Sequence, residues 1–330
     1  MGKRILITGA TGFVGSHLVD ALLISNPNDQ IVTTRRYHLS NRQHSKHFEE
    51  KVSWVDCNLQ DPIATEKMMD SVAPDCIFHC AAESFVSPSW NHPLQYMNMN
   101  YGSTVNLLES LRRVQSTAPI HIPGSGEEYG DIREVDLPIN QNTLLNPVNP
   151  YAVTKIAQDL IAYVYHRSYG INVIRTRAFN HEGPRRENVF GISSYAWQIA
   201  RIENGLQIPV IETGDIDDRR NFTDVRDMVK AYQLAVEKCA PGELYLVGSN
   251  SEDHIFSFRE VLEKLISFSN VREINHKQVT KFTRPTQVPF LIADVSKFSD
   301  ISGWKPEIPM DQMLHDILDY WRIRVKSEML

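Results

Sequence analysis

A glycine-rich turn between a strand pattern and a helix pattern is the feature that most constrains the fold of this chain. The apolar run from Lys3 to Thr8 predicts a buried strand, and the segment from Gly12 to Ile24 predicts a helix. Glycines at such a junction permit a tight turn and a close approach of the backbone to a pyrophosphate, which the free N–H groups of the helix N-terminus attract. The turn therefore predicts a dinucleotide site, with a purely structural turn as the alternative. The residues predicted to face the dinucleotide are Gly9, Thr11, Gly12, Phe13, Val14 and Gly15.

Short apolar runs alternate with longer amphipathic segments through the first half of the chain. We predict strands at 3–8, 30–34, 52–55, 76–79, 120–123 and 172–177. Helices are predicted at 12–24, 61–72, 93–114 and 151–169. Repeated β-α units with nearly all-apolar strands predict a parallel sheet that helices cover on both faces.

The alternation breaks after Arg177, where glycines and prolines divide the chain into short pieces. Helices are predicted there at 225–237, 257–268 and 310–325. We therefore predict an α/β fold with two domains. A Rossmann-like doubly wound parallel sheet occupies 1–177, and a smaller α+β substrate-binding domain occupies 178–330. Residues 224–247 are expected to return a helix and a strand to the first domain.

Composition and charge exclude several classes of function. The 330 residues carry 34 Lys and Arg against 40 Asp and Glu, a net charge of −6 that argues against a non-specific nucleic-acid binder. No apolar run approaches the ~18 residues of a membrane span, and the N-terminal segment lacks a signal-peptide cleavage site. The 4 cysteines show no metal-binding spacing. We expect a cytoplasmic protein that has no metal site and binds neither nucleic acid nor membrane.

The end of the second predicted strand carries arginines where an NAD site usually places an acid for the ribose hydroxyls. Arginine pairs well with phosphate, whereas a carboxylate would repel it. Arg35 and Arg36 therefore predict NADP as the cofactor, with a solvated turn as the alternative reading. Asn58 and Leu59 follow the third strand, where such folds flank the adenine.

A tyrosine and a lysine open the predicted helix at 151–169. Tyr151 and Lys155 are four residues apart and share one helix face. An ammonium group beside a phenol is expected to lower the pKa of the phenol, so that it exchanges a proton with a sugar hydroxyl or carbonyl. Ser125 follows the fifth strand, at the sheet edge where ligands bind in open α/β folds. These three residues predict acid–base catalysis.

These motifs and several further segments resemble the extended short-chain dehydrogenases/reductases that act on nucleotide sugars. The resemblance covers nearly the whole chain and is strongest to the GDP-mannose 4,6-dehydratases and their sister GDP-6-deoxy-mannose reductases. The segments that carry it are HCAAES at 79–84, Asn100, FNHEGPRR at 179–186, RRNFTDVRD at 219–227 and RPTQVP at 284–289.

The resemblance implies a role for each catalytic candidate. Tyr151 would take the O4 proton while C4 loses hydride to NADP, Lys155 would tune Tyr151 and hold the nicotinamide ribose, and Ser125 would hydrogen-bond O4. Glu127 matches the base that removes the C5 proton, which a C4 ketone acidifies. A solvated loop carboxylate is the alternative for Glu127, and we expect the neighbouring Glu128 to face outward.

The resemblance also implies binding residues and an assembly. It places Ala81, Ala82 and Asn100 at the cofactor. The residues that it places at a GDP-sugar substrate are Ser84, Ser125, Asn180, Arg220 and Arg284. An arginine-rich segment at 35–42 and the Arg185-Arg186 pair resemble elements that reach a neighbouring subunit, which implies a homo-oligomer, either a dimer or a tetramer.

Three functions follow as hypotheses. The first is an NADP-dependent GDP-mannose 4,6-dehydratase, or a dehydratase of a close GDP-sugar such as a heptose or an N-acetylated sugar. The second is an NADPH-dependent GDP-4-keto-6-deoxy-mannose reductase, and the third is a non-catalytic NADP sensor. Gly126 and Gln287 depart from the dehydratase pattern, and the segment NFTDV at 221–225 resembles the reductases. The Arg185-Arg186 pair, in contrast, resembles the dehydratases.

Overall fold

The strands of this chain are short runs, and those at its centre are almost entirely buried. The computed structural model describes residues 2–37, 40–249, 251–282, 285–286 and 288–328. In chain order its strands are β1 (Arg4–Thr8), β2 (Gln30–Arg35), β3 (Ser53–Asp56), β4 (Cys76–His79), β5 (Ile120–Ser125), β6 (Val173–Ala178), β7 (His181–Glu182), β8 (Val210–Thr213), β9 (Arg219–Asn221), β10 (Thr223–Asp224), β11 (Leu244–Val247), β12 (Ile255–Ser257), β13 (Asn275–Gln278) and β14 (Phe290–Leu291).

Polar caps set the starts of several helices. Asp61 accepts hydrogen bonds from the N–H groups of Ile63 and Ala64, and Ser257 forms a reciprocal capping box with Glu260. In chain order the helices are α1 (Phe13–Ser25), α2 (Pro62–Val72), α3 (Pro93–Met97), α4 (Ser103–Arg113), α5 (Pro150–Tyr169), α6 (Gly191–Glu203), α7 (Val225–Lys238), α8 (Phe258–Ser267), α9 (Ser296–Ser302) and α10 (Met310–Glu328).

Within the described residues, the central sheet has seven strands, all parallel, in the order β11-β6-β5-β4-β1-β2-β3. The strand order reverses at β1, which pairs with both β2 and β4. A crevice opens at the carboxyl ends of the strands on either side of such a reversal, and ligands bind there in folds of this kind. The predicted Rossmann-like, doubly wound α/β fold is confirmed.

Helices cover both faces of the sheet. On one face α1 packs against α7, and their Leu18 and Tyr232 side chains join a buried cluster with the strands. On the other face α4 packs against both α2 and α5, where Met69, Leu107 and Ala162 are buried. The two faces thus hold separate apolar cores, which stabilise the sheet and fix the positions of the loops at its carboxyl edge.

The second half of the chain builds a helical cluster beside the sheet. Helices α6, α8 and α10 pack together around Ile199, Leu265 and Trp321. Strand β9 pairs with β12 and β14, and β8 pairs with β13. Helix α7 and strand β11 lie on the central sheet, although they follow residue 178. The division into domains at 1–177 and 178–330 stays a prediction.

Two expectations about helices differ from the structure. The helix predicted at 93–114 is divided by a π-helical turn at Asn98–Gly102. The Asn100 carbonyl in this turn accepts a hydrogen bond from the Thr104 hydroxyl group. Helices α6 and α9 were not predicted; α6 has no polar N-cap, and its first turn holds glycine and serine, which are weak helix formers. In the part of the chain that is described, no helix combines the length and apolarity needed to cross a bilayer.

Candidate active site

The turn after β1 forms a cradle that only glycine fits. Gly9 has φ +74°, and a Cβ atom there would lie 2.6 Å from the Ala81 nitrogen. A Cβ atom on Gly15 would lie 2.3 Å from the Gly9 oxygen. Gly12 provides no side-chain cap for α1, whose first turn has no acidic residue. The N-terminal N–H groups of α1 therefore meet no competing carboxylate, which fits the pyrophosphate of a dinucleotide.

We expect Gly15→Ala to weaken NADPH binding by about tenfold or more, because the new methyl group overlaps the turn. Fluorescence titration of NADPH measures the change. Gly102→Ala is the matched control, since a Cβ atom on Gly102 would meet nothing within 4 Å. Equal affinities for NADPH in the two variants would contradict the role of this turn.

A cavity of about 600 Å³ begins at this turn and continues to the carboxyl end of β5. The predicted site residues on its wall are Gly9, Thr11, Gly12, Phe13, Val14, Arg35, Arg36, Asn58, Leu59, Ala81, Ala82, Ser84, Ser125, Glu127, Tyr151 and Asn180. Gly15, Asn100 and Lys155 lie behind this wall. The cavity therefore brings most of the predicted cofactor residues together with the catalytic candidates.

A second cavity of about 890 Å³ adjoins the first. Glu127 and Asn180 line both cavities, so they lie at the junction, and Arg220 lines the second cavity alone. Arg220 is buried, pairs with Asp218 at 3.2 Å and donates a hydrogen bond to the Pro289 carbonyl at 3.2 Å. Its predicted contact with a diphosphate stays a prediction. The predicted Arg284 and the departure at Gln287 lie outside the described residues.

The two arginines at the end of β2 differ in their surroundings. Arg35 pairs with Asp56 at 2.9 Å and with Glu49 at 3.3 Å, and its guanidinium group lies 5.5 Å from the centre of the Trp54 ring. Arg36 is exposed on the cavity wall. The charge of Arg35 is thus partly balanced within the chain, which leaves Arg36 as the stronger candidate for a phosphate contact.

Asn100 holds the loop after β4 rather than facing the cavity. Its side-chain oxygen accepts a hydrogen bond from the Glu83 N–H at 2.8 Å. Its side-chain NH₂ group donates hydrogen bonds to the Glu83 carbonyl and to the Thr154 hydroxyl group. The loop that carries Ala81, Ala82 and Ser84 is thereby tied to α5. The structure places Asn100 behind the predicted cofactor residues.

Ser125 and Tyr151 meet at the cavity wall. Ser125 ends β5, and Tyr151 lies in the first turn of α5, which Asn149 caps and Pro150 begins. Burial raises the pKa of Tyr151, and a hydrogen bond with the Ser125 side chain acts in the opposite direction. Tyr151 is therefore a protonated phenol beside a hydroxyl group, an arrangement that suits proton transfer to a ligand oxygen.

Lys155 lies behind the cavity wall and is held there by partners of its own. Its ammonium group donates to the Pro123 carbonyl at 2.7 Å and to the side-chain oxygen of Gln158. Burial lowers the pKa of Lys155 to about 8, and the charge of Glu128 acts against that shift. The tuning of Tyr151 by Lys155 stays a prediction. Gln158 was missed, although its position three residues after Lys155 was a signal.

Glu127 carries its carboxylate to the junction of the two cavities. The Asn149 amide donates to this carboxylate at 3.0 Å, and the Glu127 N–H donates to the Ser125 hydroxyl at 3.2 Å. Asn149 thus caps α5 and also orients Glu127. Sequence reasoning missed it, although an asparagine directly before a helix-starting proline is a common cap. A carboxylate in this place has the chemistry of a base.

The prediction that Glu128 faces outward is wrong. Its side chain is fully buried, accepts the Ser125 N–H at 2.7 Å and pairs with Arg177 at 2.7 Å. The cause is local, because Ser125 and Glu128 form the Ser-x-x-Glu capping box of a short 3₁₀ turn at Gly126–Tyr129. That spacing was the signal in the sequence.

The Arg185-Arg186 pair folds onto the chain's own glycine-rich turn. Arg185 pairs with Asp20 on α1 at 2.7 Å, and the guanidinium group of Arg186 lies 5.0 Å from the Phe13 ring centre and 3.8 Å from that of Phe190. Both arginines line the first cavity. The homo-oligomer therefore stays a prediction. Among the described residues, no group of three or more His, Cys, Asp or Glu side chains is arranged to hold a metal ion.

Comparisons with known proteins agree with this geometry. A family model described as GDP-mannose 4,6 dehydratase matches residues 6–317. The GDP-6-deoxy-D-mannose reductase of Pseudomonas aeruginosa is 32% identical over 329 residues, covering 99% of this chain and all of the relative. GDP-mannose 4,6 dehydratase 1 of Arabidopsis thaliana is 27% identical and covers 96% and 89% of the two chains. The solved structure of RMD from Pseudomonas aeruginosa complexed with NADPH is 30% identical, with a TM-score of 0.83 over 98% and 99% of the two chains.

Proposed function

This chain belongs to the GDP-mannose 4,6-dehydratase family, and from that membership we propose that it is an NADP-dependent enzyme that exchanges hydride at C4 of a GDP-linked sugar. The observation that carries the proposal is the meeting of Ser125 and Tyr151 on one cavity wall. That wall lies between a glycine cradle suited to a dinucleotide and a second cavity with room for a nucleotide sugar.

The residues of the first cavity fit NADP. The glycine cradle and the N-terminus of α1 would hold the pyrophosphate, Asn58 and Leu59 would flank the adenine, and Arg36 would pair with the 2′-phosphate. The structure of RMD from Pseudomonas aeruginosa is complexed with NADPH, which supports the same choice. NADP, when bound, supplies hydride transfer to and from the sugar.

We expect Arg36→Ala to weaken NADPH binding by about 10- to 100-fold, because a charge-assisted hydrogen bond to the 2′-phosphate is lost. NADH lacks that phosphate, so its affinity is expected to stay the same. Titration of both dinucleotides measures the difference. The control is Arg112→Ala, which removes an exposed arginine that pairs with Glu109 on α4. An equal loss for NADPH and NADH would contradict a 2′-phosphate contact.

The proton transfers of this reaction would be carried out by the catalytic side chains. Tyr151 would exchange a proton with O4 of the sugar, and Ser125 would hydrogen-bond the same oxygen. Lys155 would support them from behind the wall, through the Pro123 carbonyl and Gln158. General acid–base catalysis of this kind contributes about 10²- to 10⁴-fold to a rate.

For the complete reaction we propose 4,6-dehydration, because Glu127 lies at the junction of the cavities and is oriented by Asn149. Once C4 is a ketone, Glu127 would remove the acidified proton from C5 and pass it to the C6 hydroxyl, which leaves as water. Return of hydride to C6 and of a solvent proton to C5 completes a GDP-4-keto-6-deoxy sugar. Mannose is the first sugar to test, and a heptose or an N-acetylated sugar would use the same groups.

Reduction of a GDP-4-keto-6-deoxy sugar is the second candidate function. One observation favours it: the relative at 32% identity, which covers 99% of this chain, is named a reductase. A protonated phenol is the form that donates a proton to a C4 ketone during reduction. In that reaction Glu127 would have no proton to remove from C5.

Product analysis with a matched pair of substrates separates the two reactions. A dehydratase converts GDP-mannose into a product lighter by one water, with no net change in NADPH absorbance. A reductase leaves GDP-mannose intact and consumes one NADPH for each GDP-4-keto-6-deoxy-mannose. UDP- and dTDP-linked sugars in the same assay test the choice of nucleotide. Turnover of neither GDP-sugar would overturn the proposed function and favour the non-catalytic sensor.

A further inference from the structure

A buried ion cluster lies directly behind Ser125. It consists of Glu128, Asp159 on α5, and Arg175 and Arg177 on β6, whose side chains are between 0% and 9% exposed. Arg177 pairs with Glu128 and with Asp159, both at 2.7 Å, and Arg175 pairs with Asp159 at 2.6 Å. The cluster therefore joins the turn after β5 to the helix that carries Tyr151 and Lys155.

Stability alone is a weak reason for such a cluster. A buried ion pair costs desolvation that often matches its Coulombic gain, and apolar residues of similar volume are frequently as stable. Four charged side chains in this place are therefore informative about position and charge. The question is what Glu128 and Arg177 hold in place that apolar side chains would not.

Glu128 clamps the backbone of the catalytic turn. One of its oxygens accepts the Ser125 N–H at 2.7 Å, and the other pairs with Arg177. Gly124 leaves the room for this contact, because a Cβ atom there would lie 2.4 Å from the Glu128 oxygen. The direction in which Ser125 and Glu127 enter the cavity thus depends on a carboxylate that is itself held by β6.

We propose that Glu128 is a positioning residue that fixes Ser125 and Glu127 in the cavity. The proposal rests on the catalytic roles proposed above for those two residues. Arg177 is the second part of the clamp, because it holds the Glu128 carboxylate against β6.

The charge of Glu128 also affects the pKa of Lys155. Burial lowers the pKa of Lys155, and the negative charges of Glu128 and Asp159 raise it. Loss of the Glu128 charge would therefore lower the pKa of Lys155 further, so that the ammonium form disappears at a lower pH. The titratable groups whose charges act on Lys155 include Glu128, Asp159 and Cys80, and the charge of Lys155 in turn lowers the pKa of the buried His79 and His121.

Two substitutions separate position from charge. Glu128→Leu removes both the acceptor for the Ser125 N–H and the charge, and kcat is expected to fall about 100-fold because misplaced catalytic groups lose rate steeply. Glu128→Gln keeps one oxygen to accept the Ser125 N–H but loses the one that pairs with Arg177, so kcat is expected to fall far less than in Glu128→Leu. The alkaline limb of its pH profile is nevertheless expected to move to lower pH by about one unit. In both variants KM and NADPH affinity stay near the values of the unsubstituted enzyme.

Arg175→Met is the matched control. It breaks the same buried cluster at Asp159 but leaves the contact between Glu128 and Ser125 intact. We expect it to lower Tm about as much as Glu128→Leu while kcat changes little. Hydrogen exchange in a peptide covering 124–130 gives a readout without turnover: exchange speeds up in Glu128→Leu and stays slow in Glu128→Gln and Arg175→Met.

The outcomes decide between the hypotheses. The clamp is overturned if Glu128→Leu keeps kcat near that of Arg175→Met, or if 124–130 exchanges equally in the two variants. If Glu128→Leu does not fold, an unshifted alkaline limb in Glu128→Gln overturns the contribution of charge. Failure of the unsubstituted enzyme to turn over any GDP-sugar is a failure of the proposed function, and the exchange data for 124–130 still decide the clamp.

Discussion

Replacing Tyr151 by Phe is expected to lower turnover of the GDP-sugar by about 10³-fold. The substitution removes only the phenolic oxygen, which meets the Ser125 side chain at the cavity wall. Either reaction at C4 requires a proton to move to or from O4, and the structure offers Tyr151 for that transfer. NADPH affinity is expected to change little, because the pyrophosphate cradle lies at α1. Steady-state kinetics and a dinucleotide titration measure the two effects.

Tyr165→Phe is the matched control for that experiment. Tyr165 lies on the same helix, and its hydroxyl group donates to Glu109 at 3.1 Å, away from the cavity. We expect its turnover to match that of the unsubstituted enzyme. If Tyr151→Phe kept more than about a tenth of the rate, Tyr151 would not be the acid–base group.

The pattern of apolar runs was sufficient to predict the central sheet. Residues such as Ile5, Leu6 and Ile77 are buried between helices on both faces, so the runs carry few polar residues. Helix α6 was not predicted because it lacks a start signal: Phe190 provides no side-chain cap, and the first turn holds glycine and serine. The smaller strands β7 and β10 are two residues each, and only tertiary pairing defines them.

At the site, the position of a residue could be predicted where its type and its neighbours in sequence determine the geometry. Tyr151 and Ser125 follow from a helix start and a strand end. The partners that come from elsewhere in the fold were harder to predict. Arg177 lies on β6 and pairs with Glu128 in the turn after β5, and no spacing in the sequence predicts that pair. Glu128 looked like one of two equivalent loop acids until its capping box was resolved.

Acidic residues of the chain pair with some of the arginines that were predicted to bind phosphate. Two of the arginines that the sequence offered for phosphate binding, Arg35 and Arg220, are paired with acids within the chain. A phosphate at either would compete with a carboxylate for the same guanidinium group. We therefore expect phosphate binding to depend more on Arg36 and on backbone N–H groups than the number of arginines suggests.

Glu127→Gln is expected to separate the two candidate reactions most sharply. A dehydratase needs the carboxylate to remove the C5 proton, so turnover of GDP-mannose should fall by about 10²- to 10⁴-fold. Oxidation at C4 would continue without that proton transfer, and reduced cofactor would accumulate up to one equivalent per site. A reductase needs no base at C5, so its consumption of NADPH should change little. Absorbance and mass spectrometry follow both reactions.

The Gln side chain keeps an oxygen that accepts the Asn149 amide, so the substitution tests charge and basicity rather than shape. Glu134→Gln, an exposed position in the next turn, is the control for loss of a negative charge. In deuterated water, a dehydratase also introduces deuterium at C5 of its product, and Glu127→Gln should abolish that exchange. Dehydration of GDP-mannose at an unchanged rate in Glu127→Gln would show that another group removes the C5 proton.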